Sequence, residues 1–206
     1  MPWFRHIARP LIKVILLFSD FKISGRQNIP RKGPLIVVAN HVSLTDPPIL
    51  SIVIDREMVF MAKHELFKPL VTGYLVREFG AFPVHRGRLD MTAMRQAEKV
   101  LGDGKALAMF PQGMRVRPPE TRQVYNGAAL IALRTCATIL PVLLIGTEQI
   151  NGVLWIFRRP HVRAFIGQPF ILNKPDGKLT QSELNGMTAE IMMRIENSKK
   201  QAPNIK

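Results

Sequence analysis

The sequence predicts one α/β domain, a mostly parallel central sheet flanked by helices, with an amphipathic helix at its N-terminus. Short apolar runs alternate with helix-like stretches along the chain. Those runs are continuous rather than period-two, as strands covered on both faces must be. A length of 206 residues, 47% of them hydrophobic, is enough for one sizeable core and short for two ordinary domains.

The first element is "PWFRHIARPLIKVILLFSDFK", which sets Trp3, Phe4, Leu11, Ile12, Ile15, Leu16, Leu17 and Phe18 beside Arg5, Arg9 and Lys13. Lys13 interrupts the apolar stretch, and no small-residue cleavage site precedes Asp20, which argues against a secretory leader. The segment reads either as a helix packed on its own domain or as an interfacial helix, and its basic edge favours anionic headgroups. Residues 1–24 are therefore expected to attach to the cytoplasmic face of a membrane, peripherally or monotopically, and residues 25–206 to form the globular domain. No stretch reaches the roughly 18 uncharged apolar residues of a spanning helix. The chain carries 29 Lys+Arg against 15 Asp+Glu, a formal charge of +14, which favours an anionic partner: phospholipid, phosphorylated metabolite or nucleic acid.

Strands are expected at 35–40, 58–62, 81–84, 106–110, 139–145 and 162–166, and helices over 90–101, 126–135 and 182–198. "NKPDGK" marks a turn before the last helix. In such a sheet, functional groups gather at the carboxyl ends of the strands. The single cysteine, Cys136, lies in the apolar run "ALIALRTCATILPVLLIG" and is expected to be buried packing rather than a reactive thiol.

At the end of the first of these strands, "IVVANHVSLTDPPIL" sets His41 and Asp46 five positions apart. Five helical steps turn about 500°, which leaves the two side chains about 140° apart and unable to meet. They need a loop. Ser43, Thr45 and Asp46 favour turns and caps, and the prolines at 47 and 48 tolerate only the first positions of a helix. A wrapped loop brings the carboxylate to one imidazole nitrogen and leaves the other free to take a proton. The plain alternative is that Asp46 only caps the helix that Pro47 begins.

The company this pair keeps decides between the two. "NHVSLTDP" resembles the NHxSxxDP signature of the glycerolipid acyltransferases, the lysophosphatidic acid acyltransferase family. "GAFPVHRG" (80–87) is similar to their GxxxxxR block, "FPQGMR" (110–115) to FPEGTR, and "LPVLLIG" (140–146) to their closing apolar block. "MAKHELF" (61–67) adds the basic residue they carry after the first block. The resemblance spans roughly residues 20–170.

The resemblance implies transfer of a fatty acyl group from acyl-CoA or acyl carrier protein (acyl-ACP) to the sn-2 hydroxyl of lysophosphatidic acid, giving phosphatidic acid. His41 would be the general base and Asp46 its orienting partner. Lys63, Arg86 and Arg115 would hold the phosphate, with Gln112 and Gly113 as further substrate-binding positions. No cofactor is implied beyond the acyl donor, and no metal, because the remaining histidines have no ligand-like spacing. Oxyanion donors are expected among backbone N–H groups near Pro83 to His85 and at Gly113. Gln112 stands where the family has glutamate and Met114 where threonine is usual, so another acceptor (a different lysophospholipid, glycerol 3-phosphate or a lyso-aminolipid) is the competing expectation. A rival of another class is a non-catalytic nucleic-acid-binding domain using "WIFRRPHVRAF" (155–165), which interleaves Trp155, Phe157 and Phe165 with arginines. It leaves four ordered blocks unexplained, so nucleic acid is not the expected partner.

Overall fold

The computed structural model describes residues 9–87, 89–115, 124–152, 154–175 and 177–201. Seven strands form one sheet in the order β1-β7-β6-β2-β5-β3-β4. They are β1 (Asp20–Ser24), β2 (Leu35–Ala39), β3 (Met58–Lys63), β4 (Ala81–Val84), β5 (Ala106–Met109), β6 (Thr138–Ile145) and β7 (His161–Ile166). Every neighbouring pair is parallel except β6 with β7. The helices are α1 (Arg9–Leu16), α2 (Asp46–Val53), α3 (Leu70–Glu78), α4 (Met91–Gly102), α5 (Gly127–Thr135), α6 (Trp155–Arg158) and α7 (Gln181–Gln201). The expected single α/β domain with a mostly parallel sheet is the fold observed.

Strand β2 shows why the apolar runs are continuous. All five of its residues are fully buried. Ile36 and Val38 point into a cluster with Met94 and Ala97 of α4, Ile131 of α5 and Ile191 and Ile195 of α7. Leu35, Val37 and Ala39 point the other way, onto Leu16 of α1 and Ile49, Leu50 and Val53 of α2. Both faces of a central strand are therefore core, and period two disappears from the sequence.

Three expectations need correction. Residues 20–24, assigned to the interfacial segment, form β1, paired in parallel with β7 from Asp20↔His161 to Ser24↔Phe165; a five-residue strand at the sheet edge, DFKIS, carries too little apolar pattern to announce itself. Helix α3, "LVTGYLVRE", was not expected, because Gly73 and three β-branched residues weaken its helical signal. Cys136 is exposed and ends α5 in the left-handed region at φ 51°, a helix terminus rather than core packing. The aromatic and basic residues of 155–165 are dispersed: Trp155 and Phe165 are buried, and Arg163 bonds the Asp20 carboxylate at 2.6 Å. Phe157 stays exposed beside Arg158 and Arg159.

The N-terminal helix is docked through part of its surface. Leu16 is buried with the α2 side of the core, and Arg9 reaches the end of α2, donating to Asp55 Oδ1 at 3.0 Å and to the Ile54 carbonyl at 3.4 Å. The placement suits a cation at a helix C-terminus. Leu11, Val14, Leu17 and Phe18 remain exposed. Trp3, Phe4 and Arg5 lie outside the described residues.

The edge of the sheet closes at Gly146, where φ is +83° and a Cβ would stand 2.0 Å from the His161 carbonyl oxygen. Gly146→Ala combines left-handed strain with a backbone clash, so its unfolding free energy in urea should fall by at least about 2 kcal/mol.

Candidate active site

Four neighbouring parallel strands, β2, β5, β3 and β4, run in one direction, so their carboxyl ends lie along one sheet edge. His41 follows β2, Phe110 to Gln112 follow β5, Lys63 ends β3, and His85 and Arg86 follow β4. The expectation of strand-end convergence holds for these residues.

Asn40 fixes the exit from β2. Its side-chain amide donates to the Leu144 carbonyl at 2.8 Å, and its carbonyl accepts from Leu144 N–H at 2.7 Å. The side chain thereby extends the β2–β6 ladder beyond Ala39↔Val142. Residues 41–45 then turn, and α2 starts at Asp46. Ser43 Oγ and Thr45 Oγ1 lie 2.9 Å apart, and Thr45 Oγ1 donates to the Thr147 carbonyl at 3.2 Å, which holds the turn against the end of β6.

This turn closes the gap between His41 and Asp46. Asp46 is fully buried, and its Oδ2 lies 2.8 Å from His41 Nδ1 while accepting the N–H groups of Val42 at 2.7 Å and Ser43 at 2.8 Å. An oxygen already receiving two backbone donors is an acceptor toward the ring too, so Nδ1 carries the proton and Nε2 presents its lone pair. Two more contacts fix His41. Its ring stacks on Phe110, centroids 4.3 Å and planes 26° apart, and its backbone N–H donates to Gln112 Oε1 at 3.0 Å.

His41 opens onto a cavity of about 1050 Å³, which Lys63, His85, Arg86 and Gly113 also line. Much of the remaining wall is apolar, including Leu66, Leu75, Val84, Met109 and Leu130. A pocket of this size with a basic nitrogen and cations at one end fits an amphiphile.

The other expected site residues are placed unequally. Lys63 is exposed and sits 3.3 Å from Glu65 Oε1. Arg86 lines the cavity, but Arg115 and Gln112 do not; Arg115 is exposed, and the Gln112 carbonyl serves the His41 backbone. Gly113 has φ +67°, and a Cβ there would meet Tyr125 at 2.5 Å, so its glycine admits that ring beside Arg86. The expected oxyanion donors are occupied: His85 N–H donates to Asp90 Oδ2 at 3.0 Å, and Gly113 N–H to the Phe110 carbonyl at 2.8 Å.

Asn40, Phe110 and Thr147 were not anticipated as supports for His41. Nor was a second pair, His85 with Asp90, although its five-residue spacing repeats that of His41 with Asp46 and was visible in the chain.

Residues 20–145 match the family model described as Acyltransferase. The chain is 32% identical over 147 residues to a 1-acyl-sn-glycerol-3-phosphate acyltransferase of Borreliella burgdorferi, covering 69% of this chain and 59% of that protein. It spans half the length of a chloroplastic Arabidopsis thaliana protein of the same description, at 26% identity and 84% of this chain, and 94% of a Bacillus subtilis one, at 25% identity and 93% of this chain. The crystal structure of the 1-acyl-sn-glycerophosphate (LPA) acyltransferase PlsC from Thermotoga maritima matches with a TM-score of 0.64 and 27% identity, covering 98% of this chain and 85% of that one. With its family blocks assembled at one sheet edge and more than half its length matched, the chain belongs to the acyltransferase family.

Proposed function

We propose that this protein transfers a fatty acyl group from an acyl-CoA or acyl-ACP thioester to the sn-2 hydroxyl of lysophosphatidic acid, giving phosphatidic acid. The observation that carries the reading is His41, bonded through Nδ1 and with Nε2 unpartnered among the described residues, on an apolar-walled cavity that Lys63 and Arg86 also line. The acceptor hydroxyl loses its proton to Nε2 as its oxygen attacks the thioester carbonyl. The carbon–sulfur bond then breaks, and the imidazolium returns the proton to the departing thiolate. Ester and thiol are the products, and no acyl-enzyme forms. Asp46 keeps the tautomer and stabilises the transient imidazolium. Lys63 and Arg86 are the cations for the acceptor's phosphate on the cavity wall, with Arg115 as a third, exposed cation.

Gln112 supports the lysophosphatidic acid reading over a changed acceptor. Its carbonyl is engaged by His41 N–H, a contact glutamate would make equally well. The substitution therefore leaves the base in place and removes one negative charge from beside His41.

Membrane contact is part of the same reading. Among the described residues no helix is long and apolar enough to cross a bilayer. Leu11, Val14, Leu17 and Phe18 lie exposed in and just after α1, next to Lys13. Leu66 and Leu75 line the cavity yet are exposed, and Leu70, Val71 and Tyr74 continue that apolar surface along α3. A lipid acceptor would enter across such a rim, and the anionic, cytoplasmic leaflet suits the net charge.

Three outcomes are expected. His41→Ala should lower kcat at least about a hundredfold while circular dichroism and the unfolding midpoint stay near wild type, and Asp46→Asn should also lower kcat by freeing the ring; a folded His41→Ala protein with near-normal turnover would overturn the mechanism. Gln112→Glu should change kcat/KM for lysophosphatidic acid less than about tenfold, whereas Gln112→Leu, which removes the acceptor for His41 N–H, should cost about tenfold. Leu17→Glu with Phe18→Glu should reduce co-sedimentation with phosphatidylglycerol vesicles, and unchanged sedimentation would count against a membrane role for this segment.

A further inference from the structure

His85 and Asp90 repeat at the end of β4 the arrangement that His41 and Asp46 make at the end of β2. In each pair the aspartate Oδ2 lies 2.8 Å from the histidine Nδ1 and also accepts nearby backbone N–H, here from His85 itself at 3.0 Å. Asp90 Oδ1 caps α4 through Thr92 and Ala93 N–H, each at 3.1 Å. The His85 and Ala93 backbone N–H groups, followed by the His85 ring, hold the Asp90 carboxyl well below the usual carboxylate range. Capping α4 accounts for Asp90 but requires no imidazole.

The two rings differ in setting. His41 is 15% exposed at the side chain and packed on Phe110, whereas His85 is 42% exposed, stacked on His64 with centroids 4.3 Å apart, and next in the chain to Arg86. Both line the same cavity, His85 with Lys63 and Arg86. Asp90 fixes the proton on Nδ1, and among the described residues His85 Nε2 has no hydrogen-bond partner.

We propose that His85 is a further binding residue for the acceptor's phosphate monoester, with Asp90 its positioning residue: Nε2 shares one proton with a phosphate oxygen. The proposal deepens the lysophosphatidic acid reading and rests on it. An imidazole nitrogen and a phosphate oxygen share one proton in a hydrogen bond whichever of them holds it. Arg86 supplies a permanent charge on the same cavity wall, and His85 adds a directional contact. His41, Lys63, Arg86, Asp90 and Tyr125 share its cavity wall, His64 stacks on its ring, and Glu65 pairs with Lys63. On α4, Glu98 pairs with Arg134, Lys99 lines a separate hollow and Arg95 is exposed. The charged groups of the neighbouring α3 are occupied elsewhere, Arg77 over the Phe67 ring and Glu78 along a separate hollow.

His85→Gln tests this, with Asp90 and the α4 cap intact. Its KM for lysophosphatidic acid at pH 6 should rise about tenfold while kcat stays within about threefold, and monoacylglycerol, which lacks the phosphate, should show no KM change. Calorimetric binding of glycerol 3-phosphate at pH 6 should weaken to the same extent. Equal affinity in wild type and variant, or a loss of kcat with KM kept, would overturn the proposal. Should wild type fail to acylate lysophosphatidic acid while glycerol 3-phosphate binding still depends on His85, the substrate reading fails and the phosphate site stands.

Discussion

The site depends on one buried oxygen. Asp46 Oδ2 is met by three nitrogens of the turn it closes: His41 Nδ1, Val42 N and Ser43 N. The backbone donors cannot be satisfied elsewhere, since the turn is neither strand nor helix. Asp46 therefore closes the loop in space and sets the tautomer of His41 in one act. Stability and the proposed chemistry share the contact: a base at His41 would be oriented before any substrate arrives.

The sheet makes that loop useful. Four adjacent parallel strands deliver their carboxyl ends to one edge, and each contributes a different chemistry: a base after β2, an aromatic wall and an amide after β5, cations at β3 and after β4. Registers hold them together. Asn40 continues the ladder to β6 with side-chain atoms, so the chain leaves the sheet one residue later than its backbone bonds alone would allow. The helices on both faces bury β2 completely, which gives the exit point a rigid base.

Much of this was legible in the sequence, for reasons that also mark where legibility stops. The six apolar strands were found because burial on both faces makes their apolar runs continuous, and the His41–Asp46 loop because helical geometry forbids the pair from meeting otherwise. Strand β1 and helix α3 were not found: one is a short edge strand, and the other exposes its apolar face rather than burying it. Cys136 misled because an apolar run reads as buried throughout, while a helix must end somewhere and here ends at that residue. Partners far apart in sequence carry no local pattern, which is why Phe110 under His41 and Leu144 beside Asn40 emerge only in three dimensions.

The polar groups on the cavity wall are built to two standards. His41 is fixed at its ring nitrogen, its ring face and its backbone N–H, by residues from α2 and from the segment after β5. The cations are held more loosely: Lys63 is exposed and shared with Glu65, and Arg115 is exposed. The proposed acyl transfer would impose that asymmetry. A general base must be aligned closely on one proton, whereas a phosphate presents several equivalent oxygens to long, charged side chains that gather around it at modest entropic cost. Gln112 belongs with His41. Read by its side chain alone it is a changed contact to the acceptor, but its carbonyl faces the His41 backbone, so the exchange of glutamate for glutamine alters the charge of the site without altering where its base stands.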